Sequence, residues 1–459
     1  MILSPALPHG KTFFRLLGLP AAYTLHATRF VLACLLGGPR LSCAAAAGAA
    51  RSAPCHRGNV LRFLRRLPAV LRDDWLEAVF GNLLAQEPPP GPWLLILDQT
   101  YCGHNSARMD NAYSTSPRGK RTPRAKKDRK DKRNKRKKQP QRYCHGLVFG
   151  LLLTPSGLRL PTWRPYYTRE YCARTGRAYH KQTELAAQLI DGLRLPEGAD
   201  VVVLGDTGFD AAPVLAACAR RQLTLVVSMN GDRVLAGDRR QTKVTDLAAA
   251  WAAEDYTPVR LTPGTGRYQA QRRAAACRTG LTRKGRTFWV HREDLVVHNV
   301  GAAVVLYSTM QQPAAGQAVR PQKVLLCNDP ARDAAALAER YDLRWQIEVF
   351  FKEMKSTLGL GRYRLGEFRC VEGWVSLVVL AFAYLEWYRA QELARPGQAA
   401  REQARWRWQR SFGLCQAVRQ DAEQEDLRAL AELLQAPGGL ERAQGLLRRA
   451  VQKEYRKAG

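Results

Sequence analysis

Two uninterrupted apolar runs, each stopping on an aspartate, constrain the fold of this chain more than any other feature. Trp93-Leu94-Leu95-Ile96-Leu97 runs into Asp98, and Val201-Val202-Val203-Leu204-Gly205 runs into Asp206. Short continuous apolar runs without polar alternation read as buried strands, here each delivering a carboxylate at its C-terminal end. Around them the periodicity predicts a strand over 145–154, another over 158–166 and a helix over 180–193. A helix over 211–221, with Asp210 as its N-cap, and a buried strand over 223–229 complete the series. A neighbouring strand end of this kind is where polar residues converge on one edge of an α/β sheet.

Three successive strands followed by crossover strands is the order of a ribonuclease-H-like sheet. The expected fold class is therefore α/β, a ribonuclease-H-like catalytic core carrying a mostly β insertion and flanked by helical N- and C-terminal regions. The 459 residues are too many for one ordinary core. Residues 1–90 read as short helices with basic faces, a helical domain suited to binding DNA. The run Glu87-Pro88-Pro89-Pro90-Gly91-Pro92 makes a stiff linker after them. The first part of the core is expected over 91–229 and the insertion over 230–322, with one helix at 244–253. The second part of the core follows over 323–392, with a long apolar helix at 371–391, and a helical C-terminal region over 393–459.

Charge narrows the class of partner. The formal net charge is +32, an excess that repels itself unless a polyanion is bound. Residues 118–142 hold most of the local density, with only Asp128 and Asp131 opposing the Lys and Arg. Such a segment cannot build a core and reads as a loop that attracts nucleic acid without reading its sequence. The apolar N-terminal runs are broken by Arg15, Pro20, His26 and Arg29, so neither a membrane span nor a signal peptide is expected. The 11 cysteines show no paired spacing, which points to reduced thiols and a cytoplasmic protein.

A third carboxylate comes from the stretch 341–355. On a helical wheel Tyr341, Arg344, Glu348, Lys352 and Lys355 fall within roughly 80° of one another. Leu343, Ile347, Phe350, Phe351, Met354 and Leu358 take the opposite face. Read alone, this is equally an ordinary surface helix with i,i+4 ion pairs. Beside Asp98 and Asp206 it becomes a candidate site: three carboxylates that repel unless cations join them, with cationic neighbours suited to phosphate. Hard carboxylate oxygens select Mg²⁺ or Mn²⁺. Asp210 and Asp110 compete for the same role; the first is set aside as an N-cap and the second as lacking a scaffold.

The spacing of Tyr341, Arg344, Glu348 and Lys355 resembles the Y-(2)-R-(3)-E-(6)-K signature of IS4-type DDE transposases of bacterial insertion sequences. Asp98-Gln99-Thr100 resembles that family's first block, and Asp206-Thr207-Gly208-Phe209 its second. The long insertion between the second Asp and the Glu is similar too. The resemblance implies that Asp98, Asp206 and Glu348 hold two Mg²⁺ ions, with Mn²⁺ a substitute. It implies that Tyr341, Arg344 and Lys355 grip phosphates near the scissile bond; Lys352 stays unassigned. It further implies cleavage and joining of double-stranded DNA at inverted-repeat ends and in a target, by a homodimer bound to paired ends in the bacterial cytoplasm. Two rivals stand beside it: a nuclease of the same superfamily that never joins strands, and a domesticated, non-catalytic DNA-binding protein.

Overall fold

The computed structural model describes residues 7–37, 40–49, 55–71, 74–85, 93–104, 106, 108–114, 143–260, 287–316, 319–397, 410–445 and 448. The basic segment 118–142 lies outside the described residues. Five helices open the chain: α1 (Gly10–Leu16), α2 (Ala21–Gly37), α3 (Cys43–Ala49), α4 (Arg57–Val70) and α5 (Glu77–Leu84). The strands are β1 (Trp93–His104), β2 (Tyr143–Leu153), β3 (Arg159–Pro165), β4 (Val201–Gly205), β5 (Thr224–Ser228), β6 (Thr257–Arg260), β7 (Thr287–Val297), β8 (Gly301–Thr309) and β9 (Lys323–Cys327). Helices α6 (Arg169–Thr175) and α7 (Gln182–Asp191) connect β3 to β4, and α8 (Ala212–Arg220) connects β4 to β5.

All nine strands form one mixed sheet in the order β3-β2-β1-β4-β5-β9-β8-β7-β6. β1, β2 and β3 are antiparallel neighbours, while β4 and β5 run parallel to β1. β9 returns antiparallel to β5, and β8 and β7 pair onward from it. The strands of the 230–322 stretch therefore extend the main sheet, sharing its hydrogen-bond ladder. The helix expected over 244–253 is instead two 3₁₀ turns, Val244–Ala250 and Ala253–Asp255.

β1 does not stop at Asp98 but runs on to His104. Its two neighbours explain why. β2 pairs with it from Leu94 through His104, whereas β4 pairs only from Trp93 to Ile96. The carboxylate thus stands where the parallel neighbour ends and an edge opens, with the antiparallel ladder carrying the backbone past it.

After β9 come α9 (Ala334–Asp342), α10 (Gln346–Ser356), α11 (Phe368–Leu393) and α12 (Ser411–Gln435). The single helix expected through 341–355 is broken: a 3₁₀ turn at Leu343–Trp345 separates α9 from α10. That turn advances about 120° per residue in place of 100°, so the two helices do not share one wheel. Tyr341 accordingly sits with the buried side.

α11 is long and apolar enough to cross a membrane, yet 94% of its most apolar window is buried inside the protein. It is a core helix. Phe13 meets Tyr384 edge-on at 5.4 Å between centroids, and Phe30 meets Trp374 at 5.0 Å. Gly373 permits the closest approach, since a Cβ there would lie 2.3 Å from the Leu64 carbonyl oxygen. The N-terminal helices and α11 thus bury one another.

Candidate functional site

The register of β1 and β4 brings the first two carboxylates together. Trp93 pairs with Val201 and Ile96 with Leu204; the same offset continued by two residues sets Asp206 level with Asp98. Asp206 remains extended and accepts a hydrogen bond from the Gly208 amide at 2.9 Å, capping the short turn Thr207–Phe209. The cap and a ligand role are compatible, because a carboxylate has two oxygens and several lone pairs.

α10 supplies the third group. Phe350 and Phe351 pack edge-on against Phe149 of β2, the residue directly across from Asp98. With that face fixed, Glu348 projects toward the edge where Asp98 and Asp206 stand. Arg344 lies between them: it donates to Glu348 Oε1 at 2.9 Å and its other terminal nitrogen is 3.9 Å from Asp98 Oδ2. The Asp98 carboxyl is pushed up to about 6, first by burial and then by the charges of Asp206 and Glu348. The Gln99 amide, donating at 2.7 Å, and Arg344 pull the other way. Three carboxylates therefore share one field.

Tyr341 is buried beside this group, its phenol facing Ser228 and Arg344 and feeling the Asp206 charge. It lies beside Arg344 yet presents little surface. Lys355 lies two turns beyond Glu348 on α10, close enough to Cys102 to pull its thiol down against burial, and Cys102 is four residues beyond Asp98 on β1. Lys352, one turn after Glu348 on the same helix, is exposed.

One cation escaped the sequence reading. Lys323, at the start of β9, holds its ammonium 5.1 Å from the Tyr341 ring centroid. Burial and Arg344 lower its pKa, while Asp342 and Glu348 oppose the shift. Its signal was available only from topology, since a lysine opening a short strand looks like any edge residue. Beside it a cavity of roughly 320 Å³ opens between the inserted strands and α9, walled by Phe288, Leu306 and Leu325 with Tyr341 and Arg344 at its rim.

The two competing aspartates have other duties. Asp210 does not cap α8, whose N-cap is Ala211 with no side-chain bond. Its carboxylate is buried and takes two nitrogens of Arg233, at 2.6 and 3.1 Å, along with the Asn230 amide at 2.7 Å. It ties the inserted segment to the end of β4. Asp110 does have a scaffold: it pairs with Arg174 and receives the Phe368 amide. Neither joins the Asp98 group. Trp251 packs edge-on to His291, and Trp289 is half-buried against the core.

Residues 173–384 match the transposase DDE domain family. That match supports a DDE transposase. The matched stretch carries Asp206, Tyr341, Arg344, Glu348 and Lys355 but begins well after Asp98. Asp98 joins the DDE segment through the sheet, by its register with β4 and its electrostatic coupling to Asp206 and Glu348. No curated protein matches the chain.

Among the described residues no group of three or more His, Cys, Asp or Glu side chains is arranged to hold a metal ion. Donor chemistry nevertheless fits a divalent cation. The oxygens are hard, the Asp98 carboxyl is pushed up to about 6 first by burial and then by the charges of Asp206 and Glu348, and added positive charge opposes that shift. In the present arrangement Arg344 supplies the compensating charge.

Proposed function

We propose that the chain is an IS4-type DDE transposase that cleaves and joins DNA at the inverted-repeat ends of its own insertion sequence. The observation that carries this reading is the Asp98 carboxyl, held in one field with Asp206 and Glu348 and raised first by burial and then by their charges, with Arg344 bridging the group. A ribonuclease-H-like core fits the strand order β3-β2-β1-β4-β5 with β1 at its centre.

In this reading Asp98, Asp206 and Glu348 hold two Mg²⁺ ions, for which Mn²⁺ can substitute. When bound, such ions activate the attacking oxygen and offset charge on the leaving oxygen. The chain's own residues do the rest. Arg344 exchanges its carboxylate partners for phosphate oxygens, which its planar fork fits two at a time. Tyr341 holds the guanidinium in place through its phenol, and Lys355 adds a point charge further along the backbone. The net charge of +32 draws double-stranded DNA to the site. Two copies of the chain are needed to hold two element ends at once, so the working form is a homodimer acting on nucleoid DNA in a bacterial cytoplasm. The 1–90 helices form the DNA-binding unit, 230–322 is the insertion, and 91–229 with 323–392 make the catalytic core, followed by the 393–459 tail.

The test is a two-ended assay with Mg²⁺ on DNA carrying the element's ends. Wild-type protein should yield joined product, and Glu348→Gln should yield neither cleavage nor joining. Cleavage without joining would favour a nuclease. Unchanged cleavage by Glu348→Gln would remove the site assignment, and a wild type that binds DNA but never cuts would favour a domesticated binding protein.

A further inference from the structure

A second feature lies on the other face of the sheet. Successive side chains on a strand point to opposite faces, so Tyr101 projects away from the Asp98 side that α10 covers. Across the strands Tyr101 pairs with Gly146, whose carbonyl accepts the Tyr166 amide at 3.0 Å. The row therefore reads tyrosine, glycine, tyrosine. Gly146 leaves a gap that the Tyr113 phenol fills; a Cβ there would stand 2.5 Å from its hydroxyl oxygen. Tyr113 meets Tyr166 edge-on at 5.5 Å, and Tyr166 meets Tyr179 at 6.3 Å. The result is a cleft of roughly 530 Å³ lined by these four tyrosines, with Lys181 and Gln182 at the first turn of α7.

No residue of this cleft takes part in the site described above. Its chemistry is aromatic and basic. The Arg169 guanidinium lies 4.8 Å from the Tyr179 ring centroid, and Lys181 is exposed at the mouth. Two carboxylates are near: Glu184 is engaged by the Lys181 amide at 2.8 Å, and Glu170 acts on Tyr166. The sequence following Ser114, a residue of the cleft wall, supplies 15 Lys and Arg against two Asp within 118–142. Rings that give sequence-tolerant stacking, set among cations, are the means by which proteins hold unpaired nucleic acid. An acidic peptide would use the cations and leave four rings unexplained.

We propose that this cleft binds unpaired nucleotides of DNA, with bases stacking on Tyr101 and Tyr179 and phosphates held by Lys181 and Arg169. The proposal rests on the DNA reading above but not on catalysis. It places single-stranded DNA on the face opposite the carboxylates, three residues along β1 from Asp98. Tyr101 is the informative position because it is 38% exposed and carries little of the core.

The experiment titrates the full chain, in EDTA, with a fluorescently labelled oligothymidylate and separately with a duplex of the same length. Tyr101→Ala and Tyr179→Ala should each weaken single-strand binding roughly 5- to 150-fold, the effect of losing one stacked base. Tyr101→Phe should retain it, and duplex affinity should stay as in wild type. Lys181→Ala should reduce the salt dependence of single-strand binding. Wild-type affinity in both alanine variants overturns the proposal. So does an equal loss on duplex, or a failure of Tyr101→Phe to restore binding. Cleavage by Glu348→Gln is read independently, so active Glu348→Gln with stacking-defective tyrosine variants would remove the catalytic reading and leave this one standing.

Discussion

Replacing Asp98 by Asn should make the metal-free protein more stable while abolishing cleavage, and the gain should depend on pH in a defined way. The wild-type carboxyl is raised from 3.8 to about 6 in the folded chain. Folding therefore favours its protonated form. Below pH 4 both folded and unfolded chains carry the proton, and the group costs nothing. Between the two values the unfolded chain loses the proton first, so stability falls as pH rises, by about 1.4 kcal/mol per unit. Above the folded value the penalty is full, on the order of 3 kcal/mol. Asn is neutral throughout and similar in shape. In EDTA, Asp98→Asn should then exceed wild type by roughly 3 kcal/mol at pH 7.5 and by roughly half of that at pH 5. Urea denaturation followed by tryptophan fluorescence reads both numbers, with the slope compared to exclude a change in the transition itself. Adding Mg²⁺ at pH 7.5 should close the gap by stabilising wild type alone, because only the carboxylate gains from the cation. The reasoning fails if Asp98→Asn is no more stable than wild type at pH 7.5, or if the difference is the same at both pH values.

Other perturbations follow from individual contacts. Arg159, buried at the start of β3, donates to Glu353 at 2.8 Å and to Glu386 at 2.9 and 3.1 Å. Arg159→Met removes the charge shared by two buried carboxylates, leaving Glu386 with Arg389 and Glu353 with the Ser411 hydroxyl, and should cost about 3–5 kcal/mol in urea denaturation. Arg233→Ala leaves Asp210 unpaired and should loosen the inserted segment, seen as faster limited proteolysis within 230–322 while β1 to β5 stay protected. Lys323→Ala should weaken productive DNA binding in the cleavage assay, with Lys323→Arg restoring it. Because the Lys323 pKa is lowered, its grip is lost as pH rises sooner than an ordinary lysine's, so Lys323→Arg should hold cleavage further into the alkaline range than wild type.

How far these features were legible depends on whether a neighbour in sequence or a neighbour in space sets them. Buried strands such as 201–205 declare themselves, because an uninterrupted apolar run has few other uses. The long helix at 368–393 is legible for the same reason. Asp98 is marked only in part by its own stretch: the apolar run stops there, but the strand does not, since its length is set by the pairing with β2. The wheel that grouped Tyr341 with Arg344 and Glu348 assumed one continuous helix. The grouping survives in space although the helix breaks, because Arg344 reaches across the 3₁₀ turn to bond Glu348, and Tyr341 faces Arg344 from the buried side. Glu353 shows the limit most plainly. It lies five residues from Glu348 on the same helix, with the same side chain. Glu348 opens onto the edge left by β4, whereas Glu353 turns into the core, where Arg159 and the Ser411 hydroxyl, at 2.6 Å, satisfy it. Nothing local separates the two carboxylates. Their roles are assigned by partners 194 and 58 residues away, and Lys323 was missed for the same cause: its place beside Tyr341 exists only once β9 has paired with β5.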